Sequence, residues 1–275
     1  MLSPSELKAV LRTHGLRLTK RLGQHHLIDA RMVRRVVEAC ELSPRDTVVE
    51  IGAGLGALTE HLAASGARVI AVEIDRKIAA VLADRLAAQP AVTVVHEDIL
   101  EFAWDRVGRA VVAGAIPYHI TSPILAALSA HRQAVGRAVL VVQQEVAGRL
   151  VAHPGTAAYS RLSVLAQYGW EVARLFEVPR SAFFPQPRVD SSCVRLLPRT
   201  QPLVAVDDER WFFEVVKAAF AHRRKTLVNG LIGMDRRFSR QQAESAVARL
   251  GLPRTIRGET LSLEQLAQLA RFLID

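Results

Sequence analysis

Three acidic residues stand at the ends of successive apolar segments, where they could accept hydrogen bonds from one shared ligand. They are Glu50, Glu73 and Asp98. Glu73 is suited to accept from ribose hydroxyls, and Asp98 from the exocyclic amine of an adenine. Glu50 precedes a glycine by two residues, and a carboxylate there would repel a pyrophosphate but favour a cationic group. Together these residues predict a site for an adenosine-containing ligand that carries positive charge.

A glycine-rich turn accompanies these acids. The apolar run that begins at Val48 leads into Gly52, Gly54 and Gly56 and then into a helical pattern. A strand that turns this tightly into a helix leaves backbone N–H groups uncovered, and glycine lets a ligand approach them closely. The spacing also fits a relaxed dinucleotide fingerprint ending at Ala57, so NAD is an alternative cofactor. The acids favour S-adenosylmethionine because its sulfonium is positive, and no residue pattern resembles a hydride-transfer site.

The elements that must position these residues alternate between strand-like and helical patterns through about residue 145, which is typical of a parallel, doubly wound sheet. A helix is predicted over Arg76–Leu86, where Ile78, Val81 and Leu82 share one face. The fold class is therefore α/β, with a Rossmann-like domain. The predicted strands are Thr47–Ile51, Arg68–Glu73, Val92–His96, Ala110–Ala113, Ala138–Val142, Val172–Phe176 and Ser192–Leu197.

The composition changes after the proline-containing segment 198–202, which we interpret as a linker. Apolar residues then recur at helix spacing from Trp211 to Phe220. We expect the cofactor-binding domain to span residues 1–200, including a basic N-terminal extension, and a small helical domain to span 205–275. Capping boxes, which mark helix starts, are predicted for Ser3 with Glu6, Ser239 with Gln242 and Ser262 with Gln265.

Composition excludes several classes of protein. Half of the 275 residues are apolar, which is enough for a sizeable core, yet no run approaches the roughly 18 apolar residues of a membrane span. The N-terminus lacks the layout of a signal peptide. Cys40 and Cys193 are too few and too far apart for a disulfide framework or a metal site. We expect a cytoplasmic protein without a metal or a membrane, and a monomer.

The formal charge of +9 is concentrated in two clusters. One spans residues 12–21, ahead of the glycine turn, and the other spans 222–225 in the C-terminal part. Positive clusters on both sides of a cofactor site suit a polyanionic substrate better than a small neutral one. The C-terminal cluster could also stabilise the end of a helix by its charge alone.

At this point the sequence resembles the ribosomal RNA adenine N6-dimethyltransferases, in particular those that act on small-subunit rRNA, with the macrolide-resistance methyltransferases as more distant relatives. The resemblance covers nearly the whole chain and implies methyl transfer from S-adenosylmethionine to the exocyclic amines of two neighbouring adenines. It also favours phosphate contact for the C-terminal basic cluster. The motifs that carry it are residues 22–27, 50–56 with Glu73 and Asp98, 116–123, 143–147, 183–191, 218–227 and 259–262.

The resemblance implies a role for each motif residue. Tyr118 and Phe183 would clamp a flipped adenine, and Pro117 would fix a loop whose carbonyls near Ala115 and Ile116 accept hydrogen bonds from the amine. Such acceptors would make the nitrogen more nucleophilic. The cofactor residues would be His25, Leu27, Glu50, Gly52, Gly54, Glu73, Ile74, Asp98, Ile99 and Ala115. The rRNA residues would be Arg17, Lys20, Arg21, Arg188, His222, Arg223, Arg224 and Lys225.

Two positions depart from the family pattern. Ala115 stands where the family has an asparagine, whose amide would accept from the target amine, and His26 stands where phenylalanine is usual. Loss of one positioned polar contact typically lowers a rate on the order of 10²–10³-fold. Three explanations of Ala115 remain open: a substitution that silences catalysis, divergence to a non-catalytic RNA-binding assembly factor, or continued methylation through backbone carbonyls. A methyltransferase for 23S rRNA or for a small molecule is a further alternative.

Overall fold

The computed structural model describes residues 2–16, 25–117, 120–222, 224–233 and 238–274. The chain forms two compact units, each built from two segments. The first unit contains residues 1–147 and 172–198, and the second contains residues 148–171 and 199–275.

Strands and helices alternate through the first half of the chain. The strands are β1 (His26–Leu27), β2 (Thr47–Ile51), β3 (Arg68–Glu73), β4 (Val92–His96), β5 (Ala110–Ala115), β6 (Val135–Gln143), β7 (Trp170–Val178), β8 (Phe183–Phe184) and β9 (Ser191–Pro198). The α-helices are α1 (Pro4–Thr13), α2 (Ala30–Ala39), α3 (Thr59–Ala64), α4 (Arg76–Arg85), α5 (Thr121–Ala130), α6 (Gln144–Leu150), α7 (Arg161–Gly169), α8 (Glu209–Ala219), α9 (Leu227–Gly233), α10 (Arg240–Arg249) and α11 (Leu263–Phe272).

The main sheet has the strand order β4-β3-β2-β5-β6-β9-β7. The strands β4, β3, β2, β5 and β6 run parallel, whereas β9 is antiparallel to β6. Each of the seven predicted strands is present, and the α/β fold class is confirmed. The strand order reverses between β2 and β5, and ligands of open α/β sheets bind outside the carboxyl ends of the strands at such a switch point.

Short polar side chains fix where the helices begin. Asp75 caps α4 by accepting from the backbone N–H groups of Lys77 and Ile78, and Asp29 caps α2 in the same way. These caps satisfy N–H groups that have no partner within the helix. The three predicted capping boxes, at Ser3, Ser239 and Ser262, are all present.

The core of the second unit explains why residues 148–171 belong to it. Tyr168 stacks on Phe212 of α8 with ring centroids 5.3 Å apart, and Tyr159 meets Phe220 edge to face at 5.6 Å. Both tyrosines are at most 3% exposed within this core. The sequence-based boundary placed these residues in the first domain, because a linear division cannot show that aromatic side chains before residue 171 pack against a helix after residue 208.

Neither a membrane-spanning helix nor a metal-binding cluster occurs in the described part of the chain. None of its helices combines the length and apolar character needed to cross a bilayer. Its His, Cys, Asp and Glu side chains form no group of three or more that could hold a metal ion. Cys40 and Cys193 are both buried as free thiols.

Candidate active site

A single cavity of the first unit collects most of the predicted cofactor residues at the carboxyl ends of β2, β3, β4 and β5. It encloses an empty volume of about 660 Å³, part of it open to solvent. The lining residues are His25, His26, Ile51, Gly52, Gly54, Val72, Glu73, Ile74, Ile78, Glu97, Asp98, Ile99, Ala115, Pro117 and Ile120.

The glycine turn has the backbone geometry that its residues predict. Gly52 and Gly54 have φ values of +70° and +56°, in the left-handed region that favours glycine. The Gly54 N–H donates to Oε2 of Glu73 at 2.9 Å, so the carboxylate of β3 fixes the turn that follows β2. The glycine turn and Glu73, the acid predicted to bind ribose, are therefore directly hydrogen-bonded to each other.

Glu73 is held from two directions. Its second oxygen, Oε1, accepts from the backbone N–H of Asp75 at 2.9 Å, and the side chain is only 5% exposed. Burial raises the pKa of Glu73, opposed by the hydrogen bonds from Asp75 and Gly54. The next residue, Ile74, leaves half of its surface exposed beside the cavity, which provides an apolar platform for a flat ring.

Asp98 follows β4 on the same edge of the sheet. Its Oδ1 accepts from the Leu100 N–H at 2.9 Å, which orients the carboxylate, and both Asp98 and the neighbouring Glu97 are half-buried. Ile99 is buried at 7% exposure and contributes an apolar wall. This combination of acceptor and apolar wall suits the predicted contact with an adenine amine.

Glu50 is not among the residues that line the cavity. Its side chain is 1% exposed, and Oε2 accepts from the Thr59 hydroxyl of α3 at 2.6 Å. Burial raises the pKa of Glu50 to about 8, and the nearby Glu73 carboxylate contributes to the rise. A direct contact of Glu50 with the cofactor stays a prediction, and the structure assigns the carboxyl a hydrogen bond to α3.

A short antiparallel ribbon joins the segment ahead of the sheet to the 183–187 loop. In this ribbon, His26 pairs with Phe184 and Leu27 with Phe183. His25 Nδ1 lies 2.6 Å from the Pro185 carbonyl oxygen, at hydrogen-bonding distance. His25 is thereby fixed at the cavity wall, in agreement with its predicted place beside the cofactor.

His26, at the position where the resemblance implies phenylalanine, is a neutral ring. Burial, and secondarily the charge of His25, lowers the pKa of His26 to about 4. Its Nε2 is shielded from solvent and has no hydrogen-bond partner among the described residues. An imidazole held this way behaves as a packing group, as a phenylalanine would.

Ala115, the last residue of β5, and Pro117, in the loop that follows, both line the cavity. Ala115 is half-buried, whereas Ile116 is 2% exposed and donates its N–H to the Val141 carbonyl of β6 at 2.9 Å. That bond continues the β5–β6 ladder and fixes the peptide plane that contains the carbonyl of residue 115. Alanine offers no side-chain amide to meet a substrate amine at this position. Tyr118 lies outside the described residues, and its stacking role stays a prediction.

Phe183 and Leu27 are placed in the core and not on the cavity wall. Phe183 is 5% exposed and Leu27 is 3% exposed, and both belong to the apolar cluster formed with α2 and the central strands of the sheet. The expected contact of Phe183 with a flipped adenine stays a prediction. Phe184, its half-buried neighbour, instead carries the Lys8 ammonium 5.2 Å from its ring centre.

The predicted rRNA residues that the structure describes are all exposed. Arg188 follows the 183–187 loop in the first unit, and His222, Arg224 and Lys225 follow α8 in the second. The remaining predicted rRNA residues, Arg17, Lys20, Arg21 and Arg223, lie outside the described residues. Exposure agrees with phosphate contact, and the contact itself stays a prediction.

Several lining residues are absent from the sequence-based set. Glu97 could have been found from its position beside Asp98 at a strand end. His26 is distinguished in the sequence only as a departure from the family pattern, and the others are apolar side chains, which carry no signal in one sequence. They are Ile51, Val72, Ile78 and Ile120.

Arg85 of α4 braces the glycine turn from its outer side. Its guanidinium donates to the Leu55 carbonyl and to Oε1 of Glu60, the latter at 2.6 Å. The side chain is 22% exposed, so this pair is partly shielded from solvent. The turn is thus held on one side by Glu73 and on the other by Arg85.

The residues around the cavity fit an adenosine-containing cation. Three carboxylates, those of Glu73, Glu97 and Asp98, line it, and Ile74 and Ile99 supply apolar surface. Acceptors for ribose and amine donors are therefore combined with negative charge for a sulfonium. Fold and site together define an α/β protein that binds an adenosine-type cofactor at the switch point of its sheet.

Comparison with known proteins gives the family. The ribosomal RNA adenine dimethylase profile matches residues 15–275, and the chain belongs to this family. The chain is 42% identical to the ribosomal RNA small subunit methyltransferase A of Moorella thermoacetica, over 98% of both chains. It is also 42% identical to the protein of that name from Shouchella clausii, over 98% of this chain and 94% of the relative.

Solved structures show the same fold. A dimethyladenosine transferase from Plasmodium falciparum superposes with a TM-score of 0.76 at 25% identity, covering 89% of this chain and 96% of the other. The 23S rRNA methyltransferase ErmE superposes with a TM-score of 0.66 at 29% identity, covering 90% and 99%. The chain is thus a methyltransferase of the rRNA adenine dimethylase family, with S-adenosylmethionine as its cofactor.

Proposed function

We propose that the protein transfers methyl groups from S-adenosylmethionine to N6 of two adjacent adenines in small-subunit (16S) rRNA, as a step of ribosome biogenesis. The names of relatives that match over nearly the full chain support the small subunit as substrate. A cytoplasmic location and action as a monomer belong to the same proposal. The cavity that joins the acidic strand ends to the Ala115–Pro117 loop is the observation that carries it.

The chemistry requires positioning more than acid–base catalysis. An adenine amine is a poor nucleophile because its lone pair is delocalised into the ring, so the enzyme must hold the flipped base in a productive orientation. The bound cofactor supplies an electrophilic methyl group on a positively charged sulfur. The protein supplies the carbonyls near Ala115 and Ile116 as acceptors for the amine hydrogens, and the rigid Pro117 keeps them in place.

The residue at position 115 bears on whether the protein catalyses methyl transfer or only binds RNA. An asparagine amide would accept a hydrogen bond from the substrate amine, whereas alanine leaves only the backbone acceptors. We infer that these acceptors suffice and that the enzyme is active. A non-catalytic assembly factor is the second candidate, and the missing amide at position 115 is the observation that favours it.

The test uses ribosomal subunits that lack the adenine dimethylation. Small and large subunits are incubated separately with labelled S-adenosylmethionine and with the protein, its Ala115→Asn variant or its Ala115→Leu variant. Leucine matches asparagine in size but has no amide, so it controls for bulk at the cavity. The labelled nucleotides are then located by nuclease digestion and mass spectrometry.

We expect label in two adjacent adenines of small-subunit rRNA with the unaltered protein, and a rate up to about 10²-fold higher with Ala115→Asn. Label only with Ala115→Asn would show that alanine at position 115 silences catalysis and would overturn the inference that the enzyme is active. Label confined to the large subunit would overturn the proposed substrate.

A further inference from the structure

We propose that Glu50 exchanges a proton with solvent as the cofactor changes charge: it is protonated while the cavity is empty or holds the neutral product S-adenosylhomocysteine, and ionised while the cavity holds S-adenosylmethionine. The inference rests on the proposed function, because it concerns the same cofactor site. It assigns to Glu50 a part in distinguishing the cofactor from its product.

Glu50 lies next to residues that line the cavity but does not line it itself. Glu50 pairs with Ala71 in the β2–β3 register, and side chains two residues apart on a strand share a face. Glu50 therefore shares its face of the sheet with Glu73, which lines the cavity. Gly52, two residues on along the chain, also lines the cavity and has no side chain to screen the carboxyl.

The surroundings of Glu50 contain no compensating positive charge among the residues that the structure describes. Thr59 of α3 contributes a hydroxyl at 2.6 Å, β3 contributes the Glu73 carboxylate, and the Ala113 partner on β5 has no titratable group. The Cys40 thiol that follows α2 is neutral, since burial raises its pKa to about 12. Within the same described ranges, Glu50 forms no ion pair.

A buried carboxylate without a counter-charge takes up a proton. Burial and the Glu73 carboxylate hold the pKa of Glu50 at about 8, so the group is mostly protonated at pH 7. An opposite charge within about 4–6 Å lowers the pKa of a carboxyl by roughly 1 to 3. A sulfonium in the cavity therefore favours the ionised form, whereas the thioether that remains after methyl transfer does not.

The proton exchange conserves atoms and charge. When the cationic cofactor binds, the O–H bond of Glu50 breaks and the proton passes to the buffer. When the methyl group leaves the sulfur for the amine, whose N–H proton passes to solvent, the positive charge of the site is lost and Glu50 takes up a proton from the buffer. The protein thus holds a negative charge beside the sulfur only when the sulfur is positive.

The test is isothermal titration calorimetry of the full-length protein at pH 7, in buffers of different ionisation enthalpy. The number of protons released is measured for S-adenosylmethionine and for S-adenosylhomocysteine, with the unaltered protein, Glu50→Gln and Glu101→Gln. Glutamine can keep the hydrogen bond to Thr59 but cannot ionise, and Glu101 is an exposed acid outside the cavity lining. Any release from the ligand's own amino group remains in all three proteins and is subtracted.

We expect S-adenosylmethionine to release close to one proton more from the unaltered protein and Glu101→Gln than from Glu50→Gln. S-adenosylhomocysteine should show no such difference. The preference for S-adenosylmethionine should rise about tenfold from pH 6.5 to 8.5 and stay within about twofold in Glu50→Gln.

Equal proton release with both ligands in the unaltered protein would overturn the inference. This comparison needs no variant, so it remains valid even if Glu50→Gln does not fold. Absence of S-adenosylmethionine binding would overturn the proposed function as well. Binding without the extra proton would overturn only the inference.

Discussion

The imidazole of His26 covers Gly54 so closely that a Cβ atom on residue 54 would lie 2.7 Å from Nδ1. Gly54 also has a φ of +56° and donates its N–H to Glu73. The residue before the sheet, the turn after β2 and the acid at the end of β3 are therefore linked by direct contacts through Gly54. These contacts define one wall of the cofactor cavity.

We expect Gly54→Ala to weaken S-adenosylmethionine binding about tenfold or more, because the new methyl group displaces His26 and the backbone is strained. Left-handed backbone costs a residue with a Cβ about 1–2 kcal/mol. Gly108→Ala is the matched control, since Gly108 has a φ of +62° but open space around its Cβ position. The dissociation constants of the two variants and their thermal unfolding separate the clash from the strain. Equal affinity losses in both variants would contradict a specific clash with His26.

His26→Phe should make the protein less sensitive to acid. The pKa of His26 is lowered to about 4 in the folded state by burial, so between pH 6.5 and 4 the unfolded chain binds a proton that the folded chain does not. The contribution of His26 to the free energy of unfolding is therefore present above the pKa that histidine has in the unfolded chain. It is lost as the pH falls, by about 2 kcal/mol from pH 7 to pH 5. Urea unfolding at both pH values should show that loss in the unaltered protein and in the control His153→Gln, an exposed position. The same loss in His26→Phe would contradict the assignment.

Arg85→Met should weaken cofactor binding severalfold, because the Leu55 carbonyl and Glu60 lose their shared donor and the glycine turn loses its outer brace. The measurement is the KM for S-adenosylmethionine beside kcat at saturating cofactor, with kcat expected to change less than twofold. Lys77→Met removes an exposed cation from the same helix and should leave both constants unchanged. A lower melting temperature with an unaltered KM would show that the brace serves stability alone.

Neutralising Arg224 and Lys225 together as glutamines should weaken binding to small-subunit rRNA and reduce the slope of log K against log salt by about 1.5–2, which corresponds to two phosphate contacts. Affinity for S-adenosylmethionine should not change. The control neutralises Arg210 and Lys217, two exposed cations of α8. If the control variant loses as much affinity and salt dependence, general charge and not the cluster at 222–225 governs binding.

The sequence predicts the strands of the sheet well, because parallel strands are buried on both faces and appear as short apolar runs. The glycine turn and the acids at the strand ends follow from the same pattern, and Glu73 and Asp98 line the cavity together. Their proximity needs only the rule that carboxyl ends of parallel strands share an edge.

The remaining features depend on contacts between residues that are distant in sequence. His25 meets Pro185 across 160 positions, and no local pattern indicates that pairing. Phe183 is expected at the cavity, but its pairing with Leu27 places the ring in the core. The carboxyl of Glu50 accepts a hydrogen bond from the hydroxyl of Thr59, a residue whose spacing in the sequence does not indicate this contact.

The second unit is assembled from residues 148–171 and 199–275, so the chain crosses between the units three times. A fragment that begins at residue 200 would lack Tyr159 and Tyr168 and would leave the aromatic face of Phe212 without its stacking partner. Evolutionary exchange of this unit alone, without residues 172–198, therefore cannot proceed through a single recombination point. A functional chimaera must import both segments together, which ties the inheritance of the second unit to that of the strands lying between them.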